Sequence, residues 1–435
     1  MRGMLKQYGG EVILTDVIIV GAGASGLMAG IEAAKAGCSV LILEKMPLCG
    51  RKIRITGKGR CNVTTTKNHE EILQAIRRNP KFMYSSLSAF DNRDVWDFFE
   101  SRGCALKEER GERVFPVSDK AQDIVDVLVG EAKKQGCVIK CESYIKDVAY
   151  TEGEGFALTA EDGSVYKSQT CILCTGGASY PGTGSTGDAY PWLEKLGLKV
   201  EAISPALVPL VSKEEWVHTL QGLSLRNVRL TITNDKGKVF YTEQGEMLFT
   251  HFGISGPIVL SASGHCSDYW KKNKKPLYAS IDLKPALSEA QLDARLLREI
   301  AQIPNKQVPS LVRKLLPQKM VPIFIKKCGI KQDKILHQLS KEERAEIIKV
   351  LKDFTFTLTS TRALSEGIVT AGGLSVKEIN PKTLAVKKVP GLFVAGEVID
   401  IDAYTGGFNL QIAFSTGYCA GKAACAFVSE GMNES

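Results

Sequence analysis

The chain has 435 residues, of which 44% are hydrophobic and 24% are charged, and its formal net charge is +8. A chain of this length is too long for one ordinary core, so two or three domains are expected, and the composition excludes a low-complexity or disordered polypeptide. The longest apolar stretch, residues 12–36, is interrupted by Asp16, Glu32 and several glycines. It therefore predicts a strand, a turn and a helix, not a membrane span or a signal peptide, and a cytoplasmic location is the expectation that follows.

The first predicted elements form a complete βαβ unit. Residues 16–20 are a short β-branched run that predicts a strand, and a glycine-rich turn follows at Gly21–Gly26. Residues 27–36 predict a helix that Gly37 ends, and residues 38–43 predict a second strand just before Glu44. This pattern is typical of the unit that opens a Rossmann-type nucleotide fold.

Beyond this unit the periodicity changes several times along the chain. The predicted segments are mostly helical over 66–136, short strands over 137–174, strand-rich over 200–285, helical over 287–353, and rich in strands and glycine past 365, with a last helix from about Gln411. Capping-box patterns that begin at Ser288 and Ser340 support two of the helices. The sequence predicts an α/β protein with three domains. They are a discontinuous Rossmann-type domain (1–198 and 365–435), an inserted β-rich domain (199–286 and 354–364) and a helical insert (287–353).

The twelve cysteines are spaced irregularly, and only Cys171 and Cys174 form a CxxC pair. Both belong to an apolar run that predicts a strand, on which residues three apart point to opposite faces. A redox pair or a zinc pair is therefore not expected, and no metal site is predicted. The cysteines are expected to be reduced, mostly buried thiols.

A GxGxxG motif lies between the first predicted strand and helix. Its first glycine allows a tight turn, its second lets the backbone approach a pyrophosphate, and its third permits close helix–strand packing. The helix N-terminus offers unpaired N–H groups to phosphates, and a carboxylate at the end of the second strand can bind ribose hydroxyls. The cofactor-binding candidates in this unit are Gly21, Gly23, Ala24, Ser25, Gly26, Glu44 and Lys45. The unit predicts a dinucleotide site without choosing between NAD and FAD.

A second GxGxxG match, Gly182–Gly187, has a different context. It is not followed by a strand that ends in an acid, so it does not predict a second nucleotide fold. A loop near the cofactor and a flexible turn are the two interpretations.

Three further segments favour FAD. The basic, glycine-rich stretch 50–62 follows Glu44, the stretch 174–181 opens a strand end into a glycine turn, and the stretch 389–411 carries two acids and a Gly-Gly turn before a helix. Acids can hold ribityl hydroxyls, and a helix N-terminus can stabilise the negative charge of a reduced flavin. The cofactor-binding candidates in these segments are Arg51, Lys52, Arg60, Cys61, Asn62, Thr175, Gly176, Glu397, Asp400, Gly407, Asn409 and Leu410, together with Ile145.

These motifs resemble those of the bacterial BaiN-like and aminoacetone-oxidase-like NAD(P)/FAD-dependent oxidoreductases, the HI0933-type flavoproteins. The matching stretches are 21–26, 50–64, 175–188, 245–260, 369–374 and 390–417. The resemblance implies an FAD domain interrupted by a β-barrel-like domain and a small helical insert. It also implies oxidoreductase activity, and one member type is linked to reducing a C=C bond in 3-oxo bile-acid intermediates. Lys58 departs from the family pattern, in which a third glycine often stands, and this departure is expected to alter the approach to the flavin.

The leading hypothesis is an FAD-dependent reductase of a small organic substrate with an activated C=C bond, such as a 3-oxo-Δ4 steroid. With one Rossmann unit predicted, NAD(P)H would bind only transiently as electron donor. Such a reaction needs a proton donor beside the flavin, and Tyr404 and His251 are the candidates. A packing role for Tyr404 and a loop-capping role for His251 remain the alternatives, and Cys61 is expected to be a packing thiol.

Three other functions stay open: a flavin oxidase that uses O2, a tRNA-modifying flavoprotein, and a flavin-binding protein without catalysis. Between Pro304 and Lys352 lie twelve Lys or Arg residues and four Asp or Glu residues, a balance that could meet an anion but is more often the solvated face of helices. Phe324 is the only aromatic residue in that segment. Nucleic acid is therefore not expected as a partner, and neither is a membrane. The sequence does not predict the oligomeric state.

Overall fold

The computed structural model describes residues 12–433 as two compact units. The first unit joins the chain up to Ser204 with the chain from Gly367 onward, and the second is Pro205–Glu366. Within the described range, no helix is both long and apolar enough to cross a membrane.

The strands and helices of both units are numbered together in chain order. The strands are β1 Val12–Val20, β2 Val40–Leu43, β3 Thr64–Thr65, β4 Leu106–Glu109, β5 Arg113–Pro116, β6 Val138–Lys140, β7 Ile145–Thr151, β8 Gly155–Ala160, β9 Val165–Leu173, β10 Val200–Ala206, β11 Leu210–Ser212, β12 Ser224–Thr233, β13 Val239–Thr250, β14 Gly253–Ser255, β15 Leu277–Asp282, β16 Phe354–Thr361, β17 Val369–Leu374 and β18 Leu392–Val394. The helices are α1 Ala24–Lys35, α2 Arg51–Ile55, α3 His69–Ala75, α4 Tyr84–Ala89, α5 Asn92–Glu100, α6 Ala121–Lys134, α7 Ala189–Lys195, α8 Glu215–Thr219, α9 Pro257–Lys272, α10 Glu289–Gln302, α11 Val308–Arg313, α12 Val321–Cys328, α13 Lys341–Lys352 and α14 Phe408–Asn433.

A seven-stranded sheet forms the centre of the first unit. Its order is β6-β2-β1-β9-β8-β7, with β18 also paired to β9. Strands β6, β2, β1, β9 and β18 run parallel, whereas β7 and β8 form an antiparallel meander that returns to β9. The predicted α/β class and Rossmann-type domain are confirmed.

Four parallel strands of this sheet end at the same level. Val20 of β1 is in register with Leu43 of β2 and with Leu173 of β9, and Leu173 is in register with Val394 of β18. Segments far apart in the sequence therefore leave the sheet side by side, at its carboxyl edge.

Helices α1 and α14 pack closely through glycines. A Cβ at Gly417 would lie 2.4 Å from the carbonyl oxygen of Ser25, and one at Gly421 would lie 2.2 Å from that of Ala29. Both distances are shorter than any real Cβ contact, so the helix backbones approach each other only because these positions lack side chains. This contact joins the two ends of the discontinuous first unit.

The second unit contains a closed barrel in the order β11-β14-β13-β12-β15-β16. The resemblance implied a β-barrel-like domain, and the barrel confirms it. The strand-rich prediction over 200–285 was wrong for α9, which begins with Pro257 after Gly256 at a φ of 99°. Pro is favoured at the first position of a helix, and one face of α9 is apolar. Its buried apolar residues are Ile258, Val259, Ala262, Cys266 and Tyr269.

Four helices, α10 to α13, occupy the predicted helical segment. Both capping boxes are present: the Ser288 side chain accepts from the N–H of Gln291, and that of Ser340 accepts from the N–H of Glu343. The barrel and these helices share one hydrophobic cluster. The separate helical domain predicted over 287–353 stays a prediction.

The expectation of reduced cysteines was wrong for one pair. Cys38 and Cys425 form a disulfide that links the segment after α1 to α14, and their Cα atoms lie 5.8 Å apart. The two residues are separated by 387 positions, so spacing in the sequence could not indicate the pair. The other ten cysteines are free thiols, and nine of them are buried.

Candidate functional site

The carboxyl edge of the parallel sheet brings the predicted cofactor segments together. The glycine-rich turn follows β1, Glu44 follows β2, Thr175 follows β9 by two residues, and Glu397 follows β18 by three. In open α/β sheets, ligands bind outside the carboxyl ends of the strands. The candidate site is therefore this edge of the first unit.

The three glycines of the turn have the three different environments that the motif requires. A Cβ at Gly21, where φ is 104°, would lie 2.4 Å from the carbonyl oxygen of Cys174, and one at Gly26 would lie 1.9 Å from that of Gly21. A Cβ at Gly23 would have no heavy atom within 4 Å. The first and third glycines thus permit tight packing, and the second leaves space beside the backbone for a phosphate group.

Gly23 is also the N-cap of α1, and no side chain caps that helix end. Ala24 and Ser25 form its first turn and are buried. Unpaired N–H groups and the helix dipole make such an end a binding site for phosphates.

The Glu44 carboxylate is fixed at the end of β2 by the backbone. Its Oε2 accepts from the N–H of Ala22 at 2.8 Å, and its Oε1 accepts from the N–H of Met46 at 2.9 Å. Burial raises the pKa of Glu44 above its usual value, and these two hydrogen bonds oppose the shift. A carboxylate has about four acceptor sites in all, so Glu44 can also accept from ribose hydroxyls.

Lys45 contacts the second GxGxxG segment. Its ammonium donates to Thr186 and pairs with Asp188, and a Cβ at Gly184 would lie 2.8 Å from Cγ of Met46. The second motif is thus a loop that packs on the residues after Glu44, and its place near a cofactor stays a prediction. Ile145, also predicted to bind the cofactor, is the buried first residue of β7.

A charged network lies where the segments after β9 and β18 meet α2. Lys52 donates to Glu397 at 2.7 Å and to Ser179 at 2.9 Å. Glu397 also accepts from the Ser179 hydroxyl at 2.9 Å and from the N–H of Thr370 at 2.8 Å. Both Lys52 and Glu397 were cofactor candidates, and the structure brings them together as partners. Their contacts with a cofactor stay predictions.

Asp400 belongs to a second network that the sequence did not reveal. Asn79 donates to its carboxylate at 3.2 Å, and Arg78 lies 3.4 Å from it. Beside them, Arg77 and Asp402 form a buried ion pair at 2.8 Å. The two partners are 325 positions apart, and the only sign in the sequence is the clustering of Arg-Arg-Asn at 77–79 and of Asp-Ile-Asp at 400–402.

The turn before α14 is shaped by Gly407, Asn62 and Asn409. A Cβ at Gly407, where φ is 93°, would lie 2.3 Å from the carbonyl oxygen of Thr64. In the orientation that satisfies its neighbours, the Asn62 amide accepts from the N–H of Gly407 at 3.0 Å. Asn409 accepts from the N–H of Ala403 and donates to its carbonyl, both at 3.0 Å. Both asparagines therefore hold this turn in place. Leu410 follows as a half-buried residue in the first turn of α14.

The predicted cofactor residues Arg51 and Arg60 differ in whether they already have partners within the protein. Arg51 is half-buried and makes no hydrogen bond or ion pair with any described residue, whereas Arg60 pairs with Glu109 and Asp119. Arg60 as a partner of the cofactor stays a prediction. Lys58 adopts a φ of 60°, so it keeps the left-handed conformation that explains why a glycine often stands there.

Cys61 is fully buried, and burial raises the pKa of its thiol to about 12. It is therefore a protonated packing thiol at neutral pH.

The residues at this edge fit FAD. The uncapped end of α1 lies next to the open space at Gly23. Arg51 makes no hydrogen bond or ion pair with a described residue, although its charge interacts with that of Glu44. The buried hydroxyl of Tyr190 has no hydrogen-bond partner among the described residues. Gly176, in the turn after β9, has a φ of 73° and lies against Ser185. Such a set of donors and glycine turns suits a ligand with a diphosphate and many oxygen acceptors.

The two candidate proton donors lie in different units. Tyr404 is half-buried in the first unit, and its backbone N–H donates to the carbonyl of Ala75 at 3.0 Å. His251 belongs to the second unit, where its ring packs on Phe252 with centroids 4.9 Å apart. Both catalytic roles stay predictions.

Comparison with known proteins gives one family match that spans most of the chain. The family described as "HI0933-like protein Rossmann domain" matches residues 15–423. A "Ribosomal RNA dihydrouridine synthase" of Escherichia coli (strain K12) is 33% identical over 406 residues, which are 93% of this chain and 97% of that protein. A "3-dehydro-bile acid delta(4,6)-reductase" of Clostridium scindens is 29% identical over 408 residues, 93% of this chain and 98% of that protein.

A solved structure shows the same fold at low sequence identity. The 3-ketosteroid delta1-dehydrogenase of Sterolibacterium denitrificans matches with a TM-score of 0.53 and 12% identity, covering 95% of this chain and 99% of that chain.

Proposed function

The chain belongs to the HI0933-like family of Rossmann flavoproteins and is an FAD-dependent oxidoreductase, and we propose that it reduces a C=C bond conjugated to a carbonyl group. NAD(P)H is the electron donor in this proposal. The observation that supports this reaction is that two relatives with unlike substrates are both named for the same type of reduction. Formation of dihydrouridine and reduction of a 3-oxo-Δ4,6 bile acid both saturate a C=C bond conjugated to a carbonyl.

The protein's contribution is to hold the cofactor and the substrate and to supply a proton. Bound FAD would supply the hydride that the substrate carbon farther from the carbonyl has to gain. The neighbouring carbon must gain a proton, for which Tyr404 and His251 are the candidates. The cofactor residues that we propose are those at the carboxyl edge: the Gly21–Gly26 turn, Glu44, Arg51, Lys52, Glu397 and the first turn of α14.

The electron donor is proposed to bind transiently. In the part of the chain that the structure describes, one parallel βαβ unit carries the dinucleotide fingerprint, and FAD accounts for it. NAD(P)H would therefore reduce the flavin and leave before the substrate is reduced.

A uridine in ribosomal RNA is a second candidate substrate, in contrast to the expectation from the sequence that nucleic acid is not a partner. Two observations favour it: the 33% identity to the ribosomal RNA enzyme over nearly its whole length, and the excess of Lys and Arg between Pro304 and Lys352. Contacts between such cations and phosphates would make binding weaken steeply as salt rises.

Anaerobic kinetics test the proposal directly. NADH and NADPH are mixed in turn with the yellow protein, and loss of the flavin absorption band is followed. The reduced protein is then mixed with a 3-oxo-Δ4 steroid or with ribosomal RNA lacking the modification. We expect rapid bleaching by one nicotinamide, followed by reoxidation with one acceptor and a product heavier by two hydrogens.

Flavin that is reoxidised rapidly by O2 and by neither alkene would contradict the proposal and favour the oxidase. Flavin that no nicotinamide reduces would contradict the choice of electron donor.

A further inference from the structure

Tyr190 is a buried side chain with an unused hydrogen-bond donor. It is the second residue of α7, and the residue is only 7% exposed. Its hydroxyl has no hydrogen-bond partner among residues 12–433. Burial of an unpaired hydroxyl costs free energy, so such a group in a folded protein requires an explanation.

The position of Tyr190 is fixed by the loop after β9. The backbone N–H of Tyr190 donates to the carbonyl of Gly187 at 3.1 Å, and the N–H of Gly187 donates to Gly177 at 3.0 Å. A Cβ at Gly187 would lie 3.1 Å from Cδ2 of the tyrosine, so the ring lies against the glycine. The same loop supplies Ser179 to the charged network at the carboxyl edge.

Two carboxylates near Tyr190 already have other donors. Glu397 accepts from Lys52, Ser179 and Thr370. Asp400 accepts from Asn79 and pairs with Arg78. Neither carboxylate accepts a hydrogen bond from the Tyr190 hydroxyl.

The same environment keeps the hydroxyl protonated. Burial and the negative charges of Glu397 and Asp400 raise the pKa of Tyr190 well above its usual value. The group is therefore a neutral donor at any physiological pH and can serve an oxygen acceptor.

We propose that the Tyr190 hydroxyl donates a hydrogen bond to an oxygen atom of bound FAD. The cofactor offers phosphate, ribityl and ring oxygens, and Tyr190 neighbours residues at the edge where the cofactor segments converge. The inference rests on FAD binding by this family and is independent of the reaction proposed above.

The test compares Tyr190→Phe with Tyr166→Phe, both in the full-length chain. Tyr166 is fully buried in the same unit, but its hydroxyl accepts from Lys140 at 2.6 Å. The affinity of each apoprotein for FAD is measured by titration, and the thermal midpoint of each apoprotein is measured by circular dichroism. Phe keeps the ring in both variants, so neither leaves a large cavity.

Opposite results are expected from the two variants. Tyr190→Phe should weaken FAD binding about tenfold, the effect of losing one good hydrogen bond, and should leave the apoprotein midpoint unchanged or higher. Tyr166→Phe should lower the apoprotein midpoint and leave FAD affinity within about twofold, because its partner lies within the protein.

Unchanged FAD affinity in Tyr190→Phe would overturn the inference. A lower apoprotein midpoint in that variant would also overturn it, since the hydroxyl would then have a partner inside the protein. Neither measurement involves turnover, so failure here and failure of the proposed reaction are distinguishable.

Discussion

The Glu44 carboxylate is buried and is held in place by two backbone hydrogen bonds. Its contribution to FAD binding can be measured by substitution. We expect Glu44→Gln to weaken FAD binding about tenfold, because an amide oxygen is a weaker acceptor for ribose hydroxyls than a carboxylate. FAD titration of the apoprotein measures the effect. Glu142→Gln, on an exposed residue near the same edge, is the control and should bind FAD normally.

The raised pKa of Glu44 adds a pH dependence to this prediction. The ionised carboxylate is the better acceptor, so FAD affinity should rise as the pH increases from 4.5 through the raised pKa and then level off. In Glu44→Gln this rise should disappear. An equal rise in both proteins would show that another group titrates.

Tyr404 is expected to act in only one half of the catalytic cycle. Tyr404→Phe should leave flavin reduction by NAD(P)H unchanged and slow reoxidation by the alkene by about 10² or more, because only alkene reduction needs a proton donor. Stopped-flow absorbance separates the two steps. The exposed Tyr84 provides a control substitution to Phe, and equal rates in wild type and Tyr404→Phe would leave His251 as the candidate.

The sequence predicts residues whose role depends on near neighbours and misses those whose partner is remote. The three glycines of the turn follow from a local pattern of strand, turn and helix, and their contacts agree with it. The Arg77–Asp402 ion pair and the unpaired hydroxyl of Tyr190 depend on which segments, far apart in the sequence, lie side by side in the fold. Residue spacing along the sequence does not predict such long-range contacts.

At the scale of elements, the glycines of α14 are expected to matter more than their helix propensity suggests. Gly421→Ala should destabilise the protein by about 1–2 kcal/mol, because overpacking against α1 exceeds the gain in helix propensity. Gly130→Ala, on an exposed position of α6 with no heavy atom near the added Cβ, should stabilise it by about 0.5–1 kcal/mol. Urea unfolding measures the free energy of unfolding of both variants. A change of the same sign in both would contradict the packing argument.

Helices with clear capping patterns were predicted correctly. Elements that lie within a segment dominated by the other element type were not. The capping boxes at Ser288 and Ser340 begin helices as expected. Helix α9 was missed because small residues such as Ser261 and Gly264 weaken its apolar periodicity amid strands. The hairpin β4–β5 was likewise missed within a region predicted to be mostly helical.

At the scale of the whole molecule, each unit has its own hydrophobic cluster. The larger cluster lies in the first unit, and the other joins the barrel to α10–α13. Because a domain with its own core can fold alone, we expect a fragment spanning 205–366 to fold cooperatively and to be colourless. Circular dichroism and urea unfolding test this.

A core substitution controls for a loosely packed fragment. Phe354 is fully buried in the cluster of the second unit, and Phe354→Ala should destabilise the fragment by about 3–5 kcal/mol. A fragment that unfolds without cooperativity, or that responds to no core substitution, would show that the second unit depends on the first.

Strands β1, β9 and β18 end in register with one another, and this arrangement has a consequence for biosynthesis. The ribosome makes β9 and then the entire second unit before β18 emerges to take its place beside β9, and α14 comes later still. Until then the nascent first unit lacks Glu397, Gly407 and the helix that covers α1. We expect coenzyme loading to be a post-translational event, and nascent chains stalled before residue 392 to remain without flavin.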